Sequence, residues 1–193
     1  MFRITCYSII MFSQELINKI ILDIETASKE NNNDLFSKTR DVLQARIDTY
    51  VSRTNKYLES AVIGELGNNT FDHNLDYDAN HLRGSYFSYD ESGNFIVLAD
   101  FGEGVRTTIS RVKTVNDDLE ALKLVFTEHI SSRSLENRGN GLKFVSESVI
   151  EQGWELFFQS GIAVCLIDKN GMSFYNSDID IIGCLVIINF KVN

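Results

Sequence analysis

The stretch Glu65-Leu66-Gly67-Asn68-Asn69-Thr70-Phe71-Asp72-His73 constrains this chain more than any other. Glu65, Asn69 and His73 are spaced i, i+4, i+8, so on a helix a carboxylate, an amide and an imidazole stack along one face. Ala61, Val62, Leu66 and Phe71 supply apolar surface to hold such a helix against a core. Three polar side chains in one row are costly unless they face water, a metal or a ligand. A solvated helix face is the ordinary explanation of such a row. Two later motifs turn it into a candidate site.

The first of them is Asp100-Phe101-Gly102-Glu103-Gly104, which closes the apolar run Phe95-Ile96-Val97-Leu98-Ala99. Glycines at a strand end let backbone approach a ligand closely and take up positive φ. A carboxylate there can accept a hydrogen bond from an amino group such as that of adenine. Alone, the pattern reads more readily as a tight turn with a solvated Asp. The second motif, Arg138-Gly139-Asn140-Gly141-Leu142, opens a helical pattern through Phe144, Val145, Val149 and Ile150. The free N–H groups and the positive dipole end of a helix start suit a phosphate. Alone, this motif reads equally as a flexible loop with a helix start.

The rest of the chain supplies a scaffold. Leu16, Ile17, Ile20, Ile21 and Ile24 predict an amphipathic helix from Ser13 to about Glu30. After the break at Asn31-Asn32-Asn33-Asp34, a long helical pattern (Leu43, Ile47, Tyr50, Val51, Tyr57, Leu58) either continues into the Glu65 helix or bends between Ser52 and Asn55. Its partner could be the first helix or a second chain. Residues 85–89 and 95–99 read as a hairpin about the turn 90–94, and strand-like runs at 154–159, 162–168 and 184–192 close the chain. The expected class is α+β, a two-layer sandwich in which helices cover one face of a mixed, mostly antiparallel sheet. Residues 1–54 are set apart as a helical extension and 55–193 as the main domain, with the polar stretch 105–137 as a mobile lid.

Composition narrows the partners. A net charge of -9 argues against nonspecific binding of nucleic acid or of an anionic membrane. The N-terminal MFRITCYSIIMF is apolar over too few residues for a span and has no small-residue cleavage site. Cys6, Cys165 and Cys184 have no metal-like spacing, and the last two sit in apolar runs as reduced core residues. Both points suit a cytoplasmic protein. Asp100-Phe101-Gly102 is not the magnesium motif of protein kinases, because the glycine-rich loop, the His-Arg-Asp loop and any proline for Ala-Pro-Glu are missing. No P-loop occurs, and Gly102 and Gly104 lack the third glycine of a Rossmann fingerprint.

Together the three segments resemble the GHKL ATPase superfamily, the Bergerat ATP-binding fold of DNA gyrase, heat-shock chaperones, histidine kinases and mismatch-repair proteins. Its first box matches Glu65, Asn69 and His73, its second Asp100, Gly102 and Gly104, and its third Gly139, Gly141 and Leu142. The likeness covers roughly residues 55 to 192. It implies ATP and Mg²⁺ as cofactors. Asn69 would ligate the metal, Asp100 would take the adenine amino group, and Gly102 and Gly104 would shape the adenine and ribose side. Gly139, Gly141 and the helix start would hold the β- and γ-phosphates. Glu65 would be the general base, His73 would lie near the phosphates or the pocket wall, and Arg133 or Arg138 would reach the γ-phosphate. The family's Gly-Thr before the last strand is here Gly183-Cys184, which departs from the pattern at the adenine.

The histidines are His73, His81 and His129, so no upstream helix offers a phosphoacceptor for autophosphorylation. No following domain is expected to supply a gyrase-type lysine. The resemblance therefore narrows to stand-alone domains such as anti-sigma serine kinases or detached sensor-kinase catalytic domains. The expected function is a Mg-ATP-binding regulator that acts as kinase or ATPase on a partner protein in trans. The alternative is a nucleotide-gated interaction module with negligible turnover, in which the N-terminal helices could form a homodimer.

Overall fold

The computed structural model describes residues 12–29, 34–74, 84–128 and 141–191, with side chains of the second stretch to Phe71. In chain order these are α1 (Gln14–Lys29), β1 (Phe36–Ser37), α2 (Arg40–Thr54), α3 (Tyr57–Asn74), β2 (Ser85–Tyr89), β3 (Phe95–Asp100), α4 (Gly104–Ser110), α5 (Asp118–Thr127), α6 (Gly141–Gln152), β4 (Glu155–Asp168) and β5 (Gly171–Asn189). The strands form one sheet in the order β1-β2-β3-β5-β4.

Alternation along the strands sorts their side chains onto two faces. Phe87, Ile96, Leu98, Leu156, Phe158, Val186 and Ile188 point to one face. They pack with Leu43, Ile47 and Tyr50 of α2, Val62, Ile63 and Leu66 of α3, Leu122 and Phe126 of α5, and Val145 and Val149 of α6. Tyr86, Val97, Ala99, Phe157, Leu185 and Ile187 point to the other, where Ile17, Ile20, Ile24 and Ala27 of α1 cover them. The α+β class and the helix-on-sheet packing are thus as expected from sequence. Two features differ from that expectation. Among the described strands every pair is antiparallel rather than mixed: hairpins connect β2 to β3 and β4 to β5, while the connection from β3 to β4 through α4, α5 and α6 crosses over so that β5 lies between them. The second sheet face is also covered, because the apolar stripe of α1 is spent on the chain's own sheet.

The long helical pattern breaks at Asn55, whose φ of 57° makes a left-handed cap with its N–H on the Val51 carbonyl at 2.8 Å. The bend lets α3 fold back against α2, where the missing side chain of Gly67 makes room for Leu43. Tyr50 then donates its hydroxyl to the Gly93 carbonyl at 2.9 Å, tying the end of α2 to the β2–β3 turn. Residues 105–128, expected as the front of a mobile lid, instead hold α4 and α5, and Ala121 and Leu122 are fully buried. Residues 129–137 of that lid lie outside the described residues.

The runs 154–159 and 162–168 join into the single strand β4. Its register with β5 shifts on either side of Gly161, from Ser160↔Cys184 to Ala163↔Asn176. This irregularity reverses the inward parity, so that Phe158 and Ser160 but then Ala163 and Cys165 face the helices. The side-chain amide of Gln159 pins the bulge by donating to the carbonyls of Ile179 (2.7 Å) and Gly161 (3.0 Å).

Candidate functional site

The apolar face under the helices ends abruptly. Leu98, Val186 and Phe158 form one transverse row across β3, β5 and β4, and the next row is Asp100, Cys184 and Ser160. Asp100 is only 7% exposed. Its Oδ1 accepts the Gly102 N–H at 2.8 Å, and the Cys184 N–H also points to the carboxyl. Burial outweighs these bonds and pushes the carboxyl up to about 7. The neighbouring Cys184 thiol is raised well above its ordinary value, first by burial and then by the Asp100 charge.

Two of the glycines around Asp100 have a steric reason. A Cβ on Gly183, at φ +80°, would lie 2.2 Å from the Asp100 carbonyl oxygen and 2.7 Å from Oδ1. Gly104, at φ +76°, starts α4 with Ser160 Oγ 3.0 Å from where its Cβ would be. Ser160 donates to the Gly183 carbonyl at 3.0 Å and accepts the Val105 N–H at 2.9 Å. It therefore binds the turn after Asp100 to β5. Sequence reasoning missed Ser160, whose one signal was the polar break Gln159-Ser160-Gly161 between two apolar runs.

Glu65 and Asn69 sit one turn apart on α3, next to the buried Leu66 and Thr70. Among the described residues no hydrogen bond or ion pair occupies either side chain. Glu65 faces the start of α6: its Oε2 lies 2.6 Å from where a Gly141 Cβ would be. The structure thus brings the first and third motifs together, and α3 and α6 both pack on the sheet face that ends at Asp100. Leu142 begins α6 half-buried against the same core. His73 falls within α3, but its side chain lies outside the described residues, as do Arg133, Arg138 and Gly139 entirely.

Asn69 offers one amide oxygen, and no cluster of three His, Cys, Asp or Glu side chains that could hold a metal occurs among the described residues. This donor set fits Mg²⁺, which keeps several waters and leans on phosphate oxygens rather than on a protein cage. Among the described residues no helix is long and apolar enough to cross a membrane.

No family model and no curated protein matches the chain. Among solved structures it is similar to the 43K ATPase domain of Thermus thermophilus gyrase B, solved in complex with an aminocoumarin. The identity is 12% and the TM-score 0.42, over 66% of this chain and 32% of that one. The chain spans about a third of the length of that domain.

Proposed function

We propose that this protein binds Mg-ATP between α3, the start of α6 and the polar end of the sheet, and uses it to phosphorylate or switch a partner protein in trans. The observation that carries the reading is Asp100, a buried carboxyl fixed by backbone N–H groups at the end of an otherwise apolar sheet face. Stability alone gives no reason for an ionisable group there, since its charge is desolvated. Its free acceptor capacity suits an amino group on a planar base.

The remaining roles follow from position. Gly102, Gly104 and Gly183 keep the rim of the base site free of side chains. Gly141, with Gly139 and Arg138 before it, lies where the phosphates would meet the N–H groups that open α6. Asn69 would hold Mg²⁺, which supplies charge neutralisation on the phosphates. Glu65 Oε2 would accept the proton of a water or of a partner hydroxyl as its oxygen attacks the γ-phosphorus, and ADP would leave. His73 would lie near the phosphates or the pocket wall.

The alternative reading is a nucleotide-gated interaction or homodimerisation module with negligible turnover, in which Glu65 moves no proton. Under either reading the site is expected to work on a protein partner rather than on nucleic acid or a membrane, in the cytoplasm.

Calorimetric titration of ATP with Mg²⁺ tests the site. Micromolar-range binding by the wild type and a loss of roughly 10- to 100-fold in Asp100→Asn are expected, the size of a hydrogen bond to a charged group. Absence of binding to the wild type would remove the proposal. Glu65→Gln should keep binding while abolishing phosphate release or transfer. Equal, negligible turnover in both proteins would select the second reading.

A further inference from the structure

The polar row does not stop at Asp100. Ser37 of β1 and Ser85 of β2 are cross-strand partners. The β2–β3 register, carried one residue past Tyr86↔Ala99, brings Ser85 beside Asp100. Alternation places both serines on the same face as Phe87 and Leu98, the face that carries Asp100. One line of side chains, Ser37, Ser85, Asp100, Cys184 and Ser160, therefore crosses all five strands of the sheet.

The two serines at its β1–β2 end are unusual. Both are 0% exposed, and among the described residues neither Oγ has a hydrogen-bond partner. A buried hydroxyl without a partner costs free energy that alanine would avoid at the same backbone position. Directly opposed residues have Cβ atoms about 4.5–5.5 Å apart, a spacing that one water between the hydroxyls closes. A buried water makes about three hydrogen bonds to groups that would otherwise be unsatisfied. Ser85 Oγ stands between the other two groups of the row, opposite Ser37 on one side and beside the Asp100 carboxyl on the other, so a second water would bridge Ser85 and Asp100 in the same way.

We propose that Ser37 and Ser85 hold two ordered waters, one between their hydroxyls and one between Ser85 and Asp100, and that the second donates to the Asp100 carboxyl and fixes the orientation in which it meets a ligand's amino group. The two serines are then positioning residues that act through Asp100 from behind the site. The inference rests on the reading of Asp100 as the acceptor for adenine.

Its test uses two ligands, ATP and purine riboside triphosphate, which lacks the exocyclic amine. Each is titrated with Mg²⁺ into the wild type and into Ser85→Ala, Ser37→Ala and Ser85→Thr. In the wild type ATP should bind more tightly than the analogue. Each alanine variant should lose about three- to tenfold in ATP affinity, as expected for weakening one hydrogen bond. The analogue's affinity should stay unchanged, and Ser85→Thr, which restores a hydroxyl, should recover most of the ATP preference. An unchanged ATP-to-analogue ratio in both alanine variants would overturn the role of the serines while leaving Asp100 intact. So would equal losses for both ligands, the mark of a merely structural effect. A wild type that does not prefer ATP to the analogue would instead overturn the adenine reading of Asp100, and the role of the serines with it.

Discussion

At Asp100, ligand binding and stability pull in opposite directions. Its carboxyl is held near 7 in the fold, against about 4 in an unfolded chain. Between those values the native state binds more protons than the unfolded one. Stability therefore falls as pH rises through the window from about 4 to about 7, then levels off. Asp100→Asn removes this decline. In urea denaturation across that range the variant should gain on the wild type with rising pH, by up to a few kcal/mol at neutrality, whereas the proposed function predicts weaker ATP binding by the same variant. Gly183→Ala makes the reverse case. Its Cβ would sit 2.2 Å from the Asp100 carbonyl oxygen at a φ of +80°. A loss of roughly 2–4 kcal/mol in the same assay is expected, from strain and displaced backbone together.

Among elements, α5 separates a packed body from a lid. Leu122 is fully buried and Phe126 meets the Phe158 ring edge-on, at 5.3 Å between centroids. Leu122→Ala should cost about 2–4 kcal/mol in chemical denaturation, the range of a core truncation. A detachable lid would lose almost nothing. The helix itself is legible from Leu119, Leu122, Val125 and Phe126, but its place in the core is not, because a short amphipathic segment between polar stretches has the same composition in a lid as in a core edge. The α1 helix, the 85–99 hairpin and the start of α6 were legible, since each carries its own periodicity and punctuation. β1 was not, being two residues long and defined only by its pairing with β2. The candidate site was half legible. Asp100, Gly102 and Gly104 are adjacent in sequence and Gly183-Cys184 is set beside them by the resemblance, whereas Ser160 joins them only through strand register.

For the whole molecule, α1 decides whether the sheet has a dry second face. Ile20 and Ile24 are buried against residues such as Phe157 and Ile187. Ile24→Asp should loosen that helix and expose the apolar face beneath it, read as increased binding of an apolar dye and lower solubility. Because the sheet is a single layer, the side chains under α1 and those of the candidate site hang on the same strands. Ala99 faces α1 and Asp100 faces the site, one peptide unit apart, and Leu185 and Cys184 repeat the arrangement next door. The sheet is a partition rather than a wall. Whatever presses on the α1 side and moves β3 or β5 displaces the groups on the far side by the same amount, with no relay of side chains between them.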